Sequence, residues 1–249
     1  MHLNARLYEL FLVKARSIPV DVISIGLGYT AVTTSDGGIG IAYTYFDSKK
    51  ACTVFRNYID HEGSAAPQLL EGIRSSDPLH RSLALAFINA LNHKDAIMLP
   101  EDPGNKILFD TFCLNPGARV AMVGYFGPLM KKFEERKVQL QVIDESRGLG
   151  KKKQFFAQLQ DWADVLFLTS TSILNNTTEE ILSHVGPDVK TVLLGPSTPM
   201  VAKAFEHLPV NMLAGTVPMQ KNSVLKAVRH GLGTPALQKF SRKSYLLLP

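Results

Sequence analysis

The chain has 249 residues, 45% hydrophobic and 20% charged, which excludes a disordered or fibrous polymer and allows one or two domains with a real core. No apolar run is long enough to span a bilayer. The net charge is +5, and the excess is uneven: residues 1–100 carry nine Lys/Arg and nine Asp/Glu, residues 101–249 carry 18 and 13.

The first predicted element is a helix, with Leu3, Leu7, Leu10 and Phe11 at amphipathic spacing. The same N-terminal stretch lacks the apolar centre and small-residue cleavage site of a signal peptide. Val20 to Gly26 and Thr30 to Thr34 read as strands. Ser35-Asp36-Gly37-Gly38 has hairpin-turn chemistry, and Ile39 to Phe46 completes an antiparallel meander. Helices are predicted over Ala66 to Ile73 and Leu79 to Asn92. Pro100 to Asn105 is the best linker, which divides the chain into residues 1–100, an α+β unit, and residues 101–249.

After the linker and a short helix from Ile107 to Leu114, strand and helix alternate. Strands are predicted at 119–126, 138–143, 164–169, 189–194 and 211–214. Helices are predicted at 128–137, 152–162, 178–185, 199–207 and 223–230. That alternation predicts a Rossmann-like, doubly wound, mostly parallel sheet. The overall fold class is therefore α/β.

In such a sheet all the strand ends share one edge, and that edge binds ligands. Gly124, Tyr125, Phe126 and Gly127 end the first of these strands and lead into a helix with Pro128 near its first turn. Asp144 and Glu145 close the second; an acid there can accept hydrogen bonds from a diol or serve as an acid or base. Thr169 and Ser170 follow the third, with Asn175 and Thr177 before the next helix. Gly195, Pro196, Ser197 and Thr198 form a stiff hydroxyl-bearing loop, and Gly215 ends the fifth strand. Each has a plainer reading as a tight turn or a helix cap. No G-x-S-x-G elbow makes Ser197 a hydrolase nucleophile.

Gly26-Leu27-Gly28-Tyr29-Thr30-Ala31 matches G-x-G-x-x-A, but β-branched Val32-Thr33-Thr34 follows where a dinucleotide fingerprint needs a helix. A hairpin with close backbone approach is the better reading, and Tyr29 and Thr30 are placed towards the ligand cleft. Cys52 and Cys113 have no metal-ligand spacing, which suits a reduced cytoplasmic protein. The seven histidines form no H-x-x-x-H pair and no Cys/His cluster. Lys151-Lys152-Lys153 and the tail from Arg229 to Lys243 supply much of the positive charge. It suits an anionic small molecule or a nucleic acid; solvated surface lysines are the plainer account. No aromatic-interleaved basic motif points to nucleic acid.

Taken together, these motifs resemble the "putative heavy-metal chelation" family. Ile25 to Val32 with Gly37-Gly38-Ile39-Gly40 resembles its first domain. Val120 to Pro128, Ala163 to Thr177, Leu194 to Thr198 and Leu213-Ala214-Gly215 resemble its second. The resemblance implies an enolase N-terminal-like domain followed by a Rossmann-like domain, with a site between them, in a prokaryotic cytoplasmic setting. It also implies a link to metal homeostasis through pterin-, flavin- or siderophore-like compounds. Ser170 and Asn176 stand where the family pattern has glycines.

The expectation is an enzyme that condenses, hydrolyses or transfers a group on a small polar heterocycle in an interdomain cleft. Asp144 and Glu145 are its acid/base candidates. A non-catalytic binder of a metal or metal chelate is the first alternative. An S-adenosylmethionine-dependent methyltransferase is the second and less favoured, because the loop after the first strand is poor in glycine. A small-molecule partner, no membrane, no nucleic acid and an open question of homo-oligomerisation complete the reading.

Overall fold

The computed structural model describes residues 2–45 and 59–249. Helix α1 (Leu3–Ser17) buries Leu3, Leu7, Phe11 and Ala15. The buried stripe runs in steps of four, one residue above the next on a single face. Leu10, expected on that face, is 39% exposed.

Strands β1 (Val20–Ile25), β2 (Tyr29–Thr34) and β3 (Ile39–Tyr43) form the antiparallel meander. The third ends at Tyr43; Phe46, where the sequence reading ended it, lies outside the described residues, as does Cys52. Helix α2 (Pro67–Glu71) precedes α3 (Pro78–Leu91). The Asp77 side chain caps α3 by accepting the Leu79 N–H at 2.8 Å, and Pro78 sits in its first turn, where no N–H is needed. Almost all of α3 is buried, the pattern of a helix enclosed on every side.

The stretch read as a linker is not loose. After α4 (His93–Ala96), Pro100 accepts the Tyr245 N–H, and the Asp102 N–H donates to the Lys243 carbonyl. The chain thus pairs with the tail of the protein before entering α5 (Lys106–Thr111).

The second half then alternates. β4 (Arg119–Val123), α6 (Gly127–Glu135), β5 (Gln139–Ile143), α7 (Lys152–Asp161) and β6 (Val165–Thr169) lead on to α8 (Thr171–Leu174) and α9 (Thr178–Leu182). β7 (Lys190–Gly195), α10 (Ala202–Phe205), β8 (Met212–Pro218), α11 (Lys221–Arg229), α12 (Thr234–Leu237) and β9 (Ser241–Leu247) complete it. The sheet order is β5-β4-β6-β7-β8-β9. Neighbours are parallel except β8 and β9, which are antiparallel. β4 connects to β5 on one side, and the chain crosses to β6 on the other. The order therefore reverses between β4 and β6, the position at which open sheets form a ligand crevice.

One apolar core joins the two sheets. It runs from Leu7, Val32, Ala42, Phe87 and Ile88 to Ala121, Leu166, Leu193 and Leu213. Each of the larger side chains among them, fully buried, contributes about 1.5–3 kcal/mol. On the far side of the six-stranded sheet, Phe109, Phe133 and Phe167 pack ring against ring.

The second half also covers the other face of the first sheet. Val224, Leu225 and Val228 of α11 pack on Tyr29, Ala31 and Ile41. β2 is therefore buried at every position, between α3 and α11. Gly26 is what lets α11 approach: a Cβ there would lie 2.2 Å from the Val228 carbonyl oxygen. The G-x-G-x-x-A match is a hairpin, with the Gly26 N–H donating to the Tyr29 carbonyl at 2.9 Å.

Candidate functional site

At the carboxyl ends of β4, β6, β7 and β8 lies a cleft of about 490 Å³. That volume lies within the range of small-molecule sites. Its floor is made by Thr169, Ser170, Thr171, Leu194, Gly195, Ala214 and Gly215. Tyr125, Phe126 and the start of α6 form one wall. Tyr29 and Tyr43 from the first sheet form another, and Asp102, Asn105 and Lys243 a third.

Local chemistry holds each wall in place. The Tyr125 N–H donates to Asp144 Oδ2 at 3.0 Å, and Ser146 Oγ donates to Asp144 Oδ1 at 2.6 Å. The Arg147 guanidinium lies 4.6 Å from the Tyr125 ring centre, a cation–π distance. Asp144 therefore anchors the β4 loop to the β5 loop. Across the cleft the Tyr29 hydroxyl and Thr234 Oγ1 share a hydrogen bond of 2.6 Å. Burial pushes the Tyr29 phenol above its ordinary value, partly offset by Thr234. The Tyr29 and Tyr43 rings meet edge to face at 6.1 Å.

Two loops close the floor. Ser197 is buried, and its Oγ accepts the Tyr43 N–H at 2.8 Å. That bond fastens the β7 loop to the first sheet. Thr198 Oγ1 donates to the Ala214 carbonyl at 3.1 Å. Gly195 has φ +133, and a Cβ there would lie 2.6 Å from Ser170 Oγ. Only glycine suits that backbone in that space.

The structure brings together Tyr29, Tyr125, Phe126, Gly127, Thr169, Ser170, Gly195, Pro196, Ser197 and Gly215 as cleft residues. Seven other sequence candidates lie outside that lining. Gly124 packs behind it, against Thr169. Thr30 is fully buried, with its hydroxyl on Thr44 Oγ1 at 3.0 Å. Asn175 Oδ1 accepts from the Thr177 hydroxyl at 2.7 Å in a local turn. The neighbouring Asn176 has φ 60 and bonds Asn4 of α1 at 2.7 Å. Asparagine tolerates that left-handed backbone, which accounts for a side chain where the family pattern has glycine. Asp144 is engaged as above, Glu145 is exposed, and Thr198 is turned to β8.

Sequence reasoning missed Tyr43, Arg147, Asp102 and Lys243. Lys243 was absorbed into the basic tail. The apolar end of that tail, Tyr245-Leu246-Leu247, was the available sign of a strand. In the structure the whole of β9 pairs along β8, with Lys243 opposite Thr216. Burial, reinforced by the nearby positive charge of Lys132, holds the Lys243 amine below its ordinary value; Asp102 opposes the shift.

A second hollow of about 620 Å³ lies on the outer side of β1, against α2 and α3. Its acids are engaged: Glu62 Oε1 accepts the Ile23 N–H at 2.7 Å, and Glu71 is paired with Arg74 at 2.5 Å. It shares no lining residue with the cleft. Among the described residues no helix is long and apolar enough to cross a membrane.

No curated protein matches the chain. Two solved structures share its fold. One is a protein of unknown function from Pyrococcus horikoshii, with a TM-score of 0.79 at 18% identity, covering 99% of this chain and 100% of the other. The other is a protein of unknown function from Desulfitobacterium hafniense, with a TM-score of 0.76 at 16% identity and 97% coverage of both. Both are assigned to the DUF364 family. Two family models, each described as "Putative heavy-metal chelation", match residues 8–92 and 107–247. The chain belongs to that family.

Proposed function

We propose that the protein binds a small, polar, ring-bearing molecule in the cleft at the reversal point between β4 and β6, and acts on it there. The observation that carries this reading is the composition of the cleft. Aromatic rings from both sheets, Tyr29, Tyr43 and Tyr125, surround a floor of hydroxyls and glycine backbone. An apolar rim with few convergent polar groups is how proteins hold planar organic ligands. In this reading Asp144 positions the Tyr125 loop. Thr169 and Thr171, whose hydroxyls lie 2.9 Å apart, orient the ligand.

The family description raises a metal. Soft and borderline metal ions take thiolate and imidazole ligands. Among the described residues, no three His, Cys, Asp or Glu side chains come together to hold one, and Cys113 is exposed and free. The described donor set does not fit a resident metal ion. This supports a ligand that does the chelating itself. It also supports a second reading, in which the protein carries a metal already wrapped by an organic chelator and turns nothing over.

A thermal-shift screen on metal-stripped protein separates the two, because a ligand that binds only the native state raises its stability. The panel holds pterins, flavins, nucleotides, S-adenosylmethionine, free metals and metal–chelator complexes. Stabilisation by a metal-free organic ligand supports the first reading. Stabilisation only by the metal chelate supports the second. A free metal ion acting alone refutes both.

A further inference from the structure

We infer that the cleft receives an anionic group, a carboxylate or a phosphate, on the side chain of Lys243, with the attached ring lying towards Tyr29, Tyr43 and Tyr125. This inference rests on the cleft reading above and gives it a substrate class: small aromatic anions.

Three observations carry it. The first is charge without a partner. Lys243 is half-buried in the cleft wall, and among the described residues its ammonium makes no ion pair and no side-chain hydrogen bond. The other basic residues around it are spoken for. Arg242, its neighbour in sequence, pairs with Glu101 at 2.9 Å, and Lys132 donates to the Gly104 carbonyl. A half-buried cation left alone is costly, and an arriving anion removes the cost.

The second observation is that the nearby acid is engaged elsewhere. Asp102 is buried nearby, but its Oδ2 accepts the Leu108 N–H at 2.9 Å, at the start of α5. It attracts the Lys243 charge more weakly than burial and Lys132 oppose it. The third is the rest of the cleft lining. Gly127 and Pro128 open α6, a nine-residue helix with no side-chain cap, so the positive end of its dipole borders the same space. Arg147 stands at the mouth over Tyr125, but its Nε pairs with Asp144 Oδ2 at 3.9 Å. Lys243 and the α6 terminus are left to favour negative charge.

The test compares quinoline-2-carboxylate, its uncharged carboxamide and inorganic phosphate by calorimetric titration. Each is titrated into the full-length protein and its K243M and K243R variants. A charge-assisted hydrogen bond corresponds to about tenfold or more in affinity. The carboxylate is therefore expected to bind at least about tenfold tighter than the amide. K243M should lose that advantage and K243R should keep most of it. Phosphate binding that K243M abolishes, with no preference for carboxylate over amide, assigns the anion as a phosphate instead. In the unsubstituted protein, anion binding must also weaken as alkaline pH strips the Lys243 proton, which needs no variant.

The inference is overturned if no anionic probe binds, or if K243M binds the anions as well as the parent does. It is likewise overturned if the amide matches the carboxylate and phosphate is not held. Carboxylate and amide that bind parent and variants equally, with phosphate not held, sink the anion inference and leave the cleft reading standing. The cleft reading fails separately, if ligands found in the thermal-shift screen protect no residue of the cleft wall.

Discussion

Replacing Gly195 with alanine tests how the floor of the cleft is built. At φ +133 the Gly195 backbone lies where side chains are rarely tolerated, and the new Cβ would sit 2.6 Å from Ser170 Oγ. Two costs follow: about 1–3 kcal/mol for the backbone, and about 1–3 kcal/mol for forcing extra volume into a packed site. The second depends on one atom. The next nearest atoms to that Cβ, Ser170 Cβ and N, are 3.8 Å away, which is ordinary contact. Removing the hydroxyl with Ser170→Ala therefore leaves only the backbone cost. Urea unfolding of the two single variants and the double variant forms a double-mutant cycle. G195A should cost about 2–6 kcal/mol in the parent and about 1 kcal/mol or more less in the S170A background. Equal costs in both backgrounds, within about 0.3 kcal/mol, would refute the contact and with it the described packing of the β6 and β7 loops.

Ser197→Ala should cost about 1–3 kcal/mol in urea unfolding, because it leaves the Tyr43 N–H without its acceptor; a change near zero would mean that this bond does not fasten the two sheets. Asp144→Asn should lower ligand affinity in the thermal-shift assay by loosening the Tyr125 loop, while Glu145→Gln should leave it unchanged; the reverse pattern would return Glu145 to the site. Lys243→Met should raise stability at neutral pH. The native amine titrates below the unfolded one, so between the two pKa values the unfolded chain binds more protons and stability rises with pH. The advantage of K243M should therefore shrink as pH climbs towards 10.5, and an advantage that grew with pH would show that the amine is not disfavoured in its charged form. Asp164, held below its ordinary value first by its hydrogen bond to Arg119, works in the opposite sense. Its contribution is present above pH 3.8 and is lost as pH falls through its lower native pKa, so D164N should unfold with a flatter acid limb than the parent.

The sequence by itself determined the parallel sheet and the edge that carries the cleft. Val165 to Leu168 and Val192 to Leu194 are continuous apolar runs ending in polar loops, and that pattern is local. Strand ends in such a sheet necessarily meet, so Gly195, Thr169 and Tyr125 could be grouped before any coordinate was known. Even the hairpin at Gly26 was readable, because a β-branched run cannot open a helix.

What the sequence could not decide depended on partners far along the chain. Thr30 and Thr198 look like ligand-facing hydroxyls, but Thr44 and the Ala214 carbonyl take them. Asp144 looks like an acid awaiting a substrate, but a backbone N–H 19 residues away has it. The stretch from Pro100 to Asn105 and the basic tail look like a linker and a solvated charged surface, but each pairs with the other. Their pairing lays β9 along β8 and carries Lys243 into the cleft. Tyr245-Leu246-Leu247 marks a strand, but no residue near Lys243 says which strand it pairs with. A lysine on a surface and a lysine in a pocket differ only in what lies opposite them, and that is set by tertiary packing.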